Sequence, residues 1–167
     1  MNYTPEENQR FRQFYELGVH IFKENRLRSI SELSPYSTDI NRYINTIDEL
    51  KIYTSQKLVE AFLTRNTLLY PIDPNFCDKQ GVSNLHKMLQ GNHPCDHITG
   101  EVIELHHIGQ QFNSPFAELP HTIHSSNKTY SILHCSNIKS WRGNKDFVKQ
   151  TNNEISEYWK KRGAMYK

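Results

Sequence analysis

The run Ile103-Glu104-Leu105-His106-His107-Ile108-Gly109-Gln110 constrains this chain more than any other part of it. Glu101 to Ile108 alternates around Val102, Ile103 and Leu105 and reads as a β-strand. Adjacent histidines on a regular strand point to opposite faces. His106 and His107 therefore serve one site only at a strand end or an irregularity. Gly109 and the Gln110-Gln111-Phe112-Asn113 loop supply one. Three further histidines follow, His121, His124 and His134. One imidazole of such a pair can ligate a divalent metal while its neighbour takes a proton from water. That division of labour suits hydrolysis of a phosphodiester.

The 167 residues suffice for one ordinary domain, or a small one with a helical extension. Mean hydropathy is −0.75, so the core must lean on the 8 Phe, 9 Tyr and 2 Trp. No apolar run of about 18 residues exists, which excludes a membrane-spanning helix. Met1 to Glu7 lacks the basic and apolar regions of a signal peptide. The expected location is the cytoplasm, or a target-cell cytoplasm reached as part of a delivered toxin. Cys77, Cys95 and Cys135 are odd in number and form no Cys-x-x-Cys, so they are expected to be free thiols.

Thr4-Pro5-Glu6-Glu7 has the pattern of a helix start. Phe11, Phe14, Tyr15, Leu17, Ile21 and Phe22 recur at helical spacing to about Glu24. A second helical pattern runs from Asp39 to Tyr53, and a third follows Thr54 or Ser55 with Leu58, Val59, Ala61, Phe62 and Leu63. All three stripes read as core. Pro71-Ile72-Asp73-Pro74 marks a boundary. A helical region 1–70 is thus expected before a second unit, 71–167. Beyond it come a short helix near Ser83–Leu89, the strand through His107, a second strand at Phe116–Leu119, a helix opened by Pro120 that carries His121 and His124, and an amphipathic basic helix from Lys145 to Arg162. His20, His86, His93 and His97 read as structural or surface residues.

From Ser125 to Lys167, nine Lys/Arg stand against three acidic residues, a balance of +6 in a chain whose total is +2. A basic quarter beside the histidines fits a polyanionic partner.

At these residues the chain resembles the LHH nucleases, a branch of the HNH/endonuclease VII superfamily common as toxin domains of bacterial polymorphic toxins. The likeness begins near Ser83-Asn84-Leu85-His86-Lys87-Met88, passes through Glu104-Leu105-His106-His107-Ile108-Gly109-Gln110 and Ser114-Pro115-Phe116-Ala117-Glu118-Leu119, takes in His124 and Leu133-His134, and ends around Tyr158-Trp159-Lys160-Lys161-Arg162. It implies an α+β chain: a helical N-terminal region, then a ββα-metal (HNH-type) nuclease domain with a basic C-terminal helix. It also implies that His106, His124 and His134 ligate one divalent ion, Mg, Mn, Zn or Ni, and that His107 is the general base. The position after His124 where some HNH nucleases keep their last ligand is Lys128, which cannot ligate while protonated. His134 can reach the same ion only if the chain bends near Ser125-Ser126-Asn127. Many HNH sites orient the base with an Asn on the second strand. Here that position is Pro115, so Glu118, Asn113 or a backbone carbonyl is expected to do so.

The expected activity is endonucleolytic cleavage of DNA with low sequence specificity by a toxin or defence effector. Lys128, Arg142, Lys145, Lys149, Lys160, Lys161 and Arg162 would grip phosphates. The alternatives are an RNase on the same scaffold and a non-catalytic, metal-stabilised nucleic-acid-binding module. An acidic immunity protein and a homodimer through the N-terminal helices are the expected partners.

Overall fold

The computed structural model describes residues 4–134 and 140–167; Cys135, Lys139 and the side chains of Glu7, Asn8 and Phe11 lie outside what is described. The element order is α1 (Pro5–Leu33), α2 (Thr38–Asn41), α3 (Ile47–Ser55), β1 (Val59–Phe62), β2 (Asn66–Leu69), α4 (Asn84–Leu89), β3 (Ile103–His107), β4 (Phe116–Pro120), α5 (His121–Ser125), α6 (Tyr130–Leu133) and α7 (Lys145–Ala164). The fold is α+β, with helices before a small mixed sheet and a long helix at the end. No helix among the described residues is long and apolar enough to cross a membrane.

The sheet order is β1-β2-β4-β3. β1 and β2 form an antiparallel hairpin, β2 runs parallel to β4, and β4 pairs antiparallel with β3. Strand alternation splits the sheet's side chains between two cores. Leu68, Ala117 and Leu119 face Ile30, Ile40, Ile44, Leu50 and Tyr53 of the N-terminal helices. Leu69, Ile103, Leu105 and Phe116 face Met88 of α4 and Tyr158 and Trp159 of α7. His93 braces the second core: its Nδ1 lies 2.8 Å from the Ile103 carbonyl oxygen and its ring lies against Trp159.

Three sequence expectations fail here. The third helical stripe is instead the β1–β2 hairpin, because β2 finds a ladder partner in β4 at Thr67↔Phe116 and Leu68↔Ala117. The helix expected over Asp39–Tyr53 breaks between α2 and α3, where the Thr46 side chain accepts from the Glu49 amide and caps α3. The stripe on α1 is not core: Phe14, Tyr15 and Phe22 are 73%, 74% and 70% exposed. Among the described residues, α1 docks through Ile30 in the core and through Arg26, which donates to the carbonyls of Ile44 and Arg42. The free thiols are as expected for Cys77, which is exposed, and Cys95, which is buried.

The N-terminal helices press on the turn that follows the histidine pair. Gly109 has φ of 70°, and a Cβ there would meet the Tyr43 carbonyl oxygen at 2.5 Å, so only glycine fits. Glu49, fully buried on α3, accepts from the Asn45 amide and the Tyr53 hydroxyl, both at 2.7 Å, and from the Gly109 amide. Burial outweighs these bonds and pushes its carboxyl up to about 7. A raised folded-state value means that folding takes up a proton. The stability so gained is complete below the unfolded value of 4.5 and is lost as pH rises through about 7. We expect wild-type stability to fall by roughly 3 kcal/mol across that window. Glu49→Gln should flatten the fall in urea unfolding at pH 5 and pH 8. An equal fall in the variant would place the titration elsewhere.

Candidate metal centre

The end of β3 sends its two histidines to opposite faces. His106 pairs with Ala117 and shares the face covered by the N-terminal helices; His107 pairs with Phe116 and shares the face covered by α7. His106, His124 and His134 come together, each offering a ring nitrogen within 4.8 Å of the others. Their ring centroids lie 5.1, 5.2 and 5.0 Å apart. The bend expected after Ser125 is present: α5 ends at Ser125, α6 begins at Tyr130, and the turn between them swings His134 back toward His124.

The ring tautomers follow from the outer contacts. His124 Nδ1 lies 2.5 Å from Glu104 Oε2, and His134 Nδ1 lies 3.2 Å from the Tyr130 carbonyl oxygen. Each Nδ1–H donates outward, so each neutral ring keeps a lone pair on Nε2. His124 Nε2 stands 3.2 Å from His106 Nδ1. Two nitrogens at about 2.05 Å from a tetrahedral zinc would be roughly 3.3 Å apart. His106 is fully buried and is held well below 6.5 by desolvation and by the neighbouring imidazoles. His134 is lowered by the same causes. Three converging imidazoles fit a divalent ion by geometry and by donor chemistry.

Glu104 was missed in the sequence reading, although period-two alternation puts it on the His106 face of β3. Its second oxygen lies 2.9 Å from His121 Nδ1, so one carboxylate ties both histidines of α5 to the strand. Burial raises its carboxyl, yet the two imidazoles outweigh burial and lower it. His121 is solvent-exposed, outside the trio, and is raised by Glu104.

His107 is 4% exposed, wedged edge-on against Phe116 at 4.8 Å and beneath Trp141 at 5.0 Å. Neither ring nitrogen has a hydrogen-bond partner among the described residues. Desolvation first, then the Arg65 and Arg142 charges, bring it down to about 3, so the ring is neutral.

The orienting role expected of Glu118 or Asn113 is not seen in this geometry. Glu118 is fully buried and committed elsewhere, accepting from the Tyr70 amide, the Tyr158 hydroxyl and Arg162 Nε. Asn113 is exposed on the loop. Arg65, also missed, holds that loop: it donates to the carbonyls of Phe112 and Ser114, pairs with Glu154 of α7, and lies 4.3 Å over the Phe116 ring.

Of the cations expected to grip phosphate, Lys128, Arg142, Lys145, Lys149, Lys160 and Lys161 are exposed. Arg142 lies over Trp141 at the mouth above His107. Lys160 is paired with Glu157. Arg162 does not belong with them. It is 5% exposed, bonded to Glu118 and to the Tyr70 carbonyl, because it shares the buried stripe of α7 with Tyr158 and Trp159.

Glu104→Gln should weaken binding of Zn or Ni at the trio by roughly 10- to 100-fold in equilibrium dialysis, since the carboxylate fixes and enriches the His124 donor. His121→Ala should change it by far less. Equal losses in both variants would show that Glu104 acts by general electrostatics alone.

No curated protein and no solved structure matches the chain. Residues 83–164 match the family described as a nuclease of the HNH/ENDO VII superfamily with conserved LHH. The matched span holds α4, β3 with its Leu105-His106-His107, β4, the α5–α6 turn that brings in His124 and His134, and all of α7. The segment 83–164 is an LHH nuclease domain of the HNH/ENDO VII superfamily.

Proposed function

We propose that this chain is a metal-dependent endonuclease that hydrolyses DNA with little sequence preference, as a bacterial toxin or defence effector working in a target-cell cytoplasm. The observation that carries the reading is the convergence of His106, His124 and His134 behind a strand that also presents His107. His106 through Nδ1, and His124 and His134 through Nε2, would hold the ion, with Mg, Mn, Zn and Ni as the candidates. When bound, a divalent ion supplies positive charge that offsets the charge gained by the phosphorus centre and the leaving oxygen. His107, neutral, takes the proton of the attacking water. Entry of water and substrate beneath Trp141 gives its ring nitrogens polar partners and restores its basicity. Glu104 and the Tyr130 carbonyl fix the ligand tautomers, and Arg65 holds the loop that carries Phe116 against His107. Arg142, Lys145 and Lys149, at and near the mouth, contact phosphates and give salt-sensitive binding without base readout.

A second reading, a non-catalytic metal-stabilised binding module, is favoured by one observation. His107 lies on the face of β3 opposite His106, sealed by Trp141 and Phe116. The two readings part on His107→Ala, tested with supercoiled plasmid and total RNA, in EDTA or with each candidate metal. Nicking of plasmid that requires metal and drops by about 100-fold or more in the variant is the expected result. A folded protein that binds DNA yet cuts nothing under any metal would support the binding module, and preferred digestion of the RNA would make the enzyme an RNase.

For partners, we propose that α1 pairs antiparallel with α1 of a second copy. Between Phe14 and Phe22 its apolar residues are symmetric about Gly18: Phe14 mirrors Phe22, Tyr15 mirrors Ile21, and Leu17 mirrors Val19. Nothing lies within 4 Å of a Cβ built on Gly18, which leaves room for a close helix crossing. A two-fold interface needs such self-complementarity. Phe14, Tyr15, Leu17, Ile21 and Phe22 are 73, 74, 54, 50 and 70% exposed. Covering them removes roughly 600 Å² from each chain, about the lower bound for a specific interface. Light scattering should give a dimer mass, and Phe14→Glu with Phe22→Glu a monomer. A wild-type monomer would leave the stripe for an acidic immunity protein.

A further inference from the structure

Beside His107 the fold leaves a cleft of 350 Å³ that extends from the Trp141 mouth to α7. Leu105, Val148 and Ile155 give it apolar walls, Trp141 forms one side, and Arg142 stands at the rim. Thr151 and Asn152 of α7 add polar groups. Thr151 is 5% exposed, and its Oγ1 is buried without a hydrogen-bond partner among the described residues. A buried hydroxyl left unbonded is costly, and so are the two unbonded nitrogens of His107 at the same cleft. An aromatic plane, flat apolar walls and several polar atoms awaiting partners are the complement of a planar heterocycle. The aromatic character continues outward: Phe112 packs 5.5 Å from Trp141 and stacks on Phe147 at 4.3 Å, and Phe147 is 39% exposed.

We infer that this cleft takes an unpaired nucleobase, which stacks on Trp141 with its edge bonded by Thr151 and Asn152 while Arg142 meets the attached phosphate. The inference rests on the nucleic-acid reading above and sharpens it. The substrate is single-stranded or locally opened polynucleotide, since a paired base cannot leave the stack without an energetic cost. Phe112 and Phe147 offer the next base a platform. The cleft is within the size range of small-molecule sites and takes one base, not a base pair.

The test is binding in EDTA, where no strand is cut, read by anisotropy of a short fluorescein-labelled DNA strand and of its blunt duplex. The wild type should bind the strand roughly ten-fold or more tightly than the duplex. Val148→Phe fills the cleft and should abolish that preference while leaving duplex affinity, carried by the surface lysines, unchanged. Thr151→Val keeps the shape of the cleft and removes only the hydroxyl. It should weaken strand binding by about three-fold or more with the fold intact, and it decides the matter should Val148→Phe fail to fold. Equal wild-type affinity for strand and duplex, or a strand preference that survives in both variants, overturns the inference. An RNA strand of the same sequence tells whether the sugar is also read. Strand preference without cleavage under any metal would sink the enzyme and leave the cleft; cleavage without strand preference would do the reverse.

Discussion

Everything at the candidate centre depends on the antiparallel ladder between β3 and β4. Its register, His106↔Ala117 and His107↔Phe116, decides which face each histidine takes. A slip of one residue would send His106 toward α7 and His107 toward α5, and the trio would not form. The register is held from both sides. On one face Ala117 and Leu119 sink among the N-terminal helices; on the other Ile103, Leu105 and Phe116 sink against α7. The buried Glu118–Arg162 pair, with Tyr158 and the Tyr70 backbone, locks α7 across the same ladder. Removing either charge alone would leave the other buried and uncompensated, which is far more costly than losing a surface ion pair.

The two histidines of one strand thus live in contrasting environments. His106 looks toward other imidazoles whose outer nitrogens are anchored by Glu104 and a carbonyl, and the three rings offer nitrogens close enough to share one ion. His107 looks into an aromatic cage beside two guanidinium groups, which keeps it uncharged. The strand's alternation alone separates the two, with no left-handed residue between Ile103 and Gly109.

Much of this was legible in the residues. The strand ending in Leu105-His106-His107, β4, the helix at His124 and the basic helix α7 follow from apolar alternation, proline and glycine punctuation and helical spacing, whereas the bend that returns His134 was required only by the family resemblance. What was not legible depends on long-range partners. Leu58 to Leu63 suits either helix or strand by its apolar content, and only the ladder offered by β4 decides for strand. Arg162 looks like one of three consecutive surface cations, and its fate turns on a buried carboxylate more than forty residues away. The signal was there in part: Arg162 falls one turn after Tyr158 and Trp159, on the apolar stripe. The α1 stripe misled in the other direction, since periodicity reports a face that seeks cover and does not say whether this chain provides it.

The hairpin β1–β2 has a meaning for where the nuclease unit ends. The family match begins at residue 83, yet β2 fills the edge of β4, and Arg65 at the hairpin turn holds the loop between β3 and β4 and reaches across to α7. A sheet cut back to β3 and β4 alone would present β4 with a bare row of amides and carbonyls beside a loop with nothing to hold it. The matched segment is therefore smaller than the object that folds. In this chain the β3–β4–α5 element wears a locally made collar, and any truncation to the matched segment must keep the collar or find another strand to take its place.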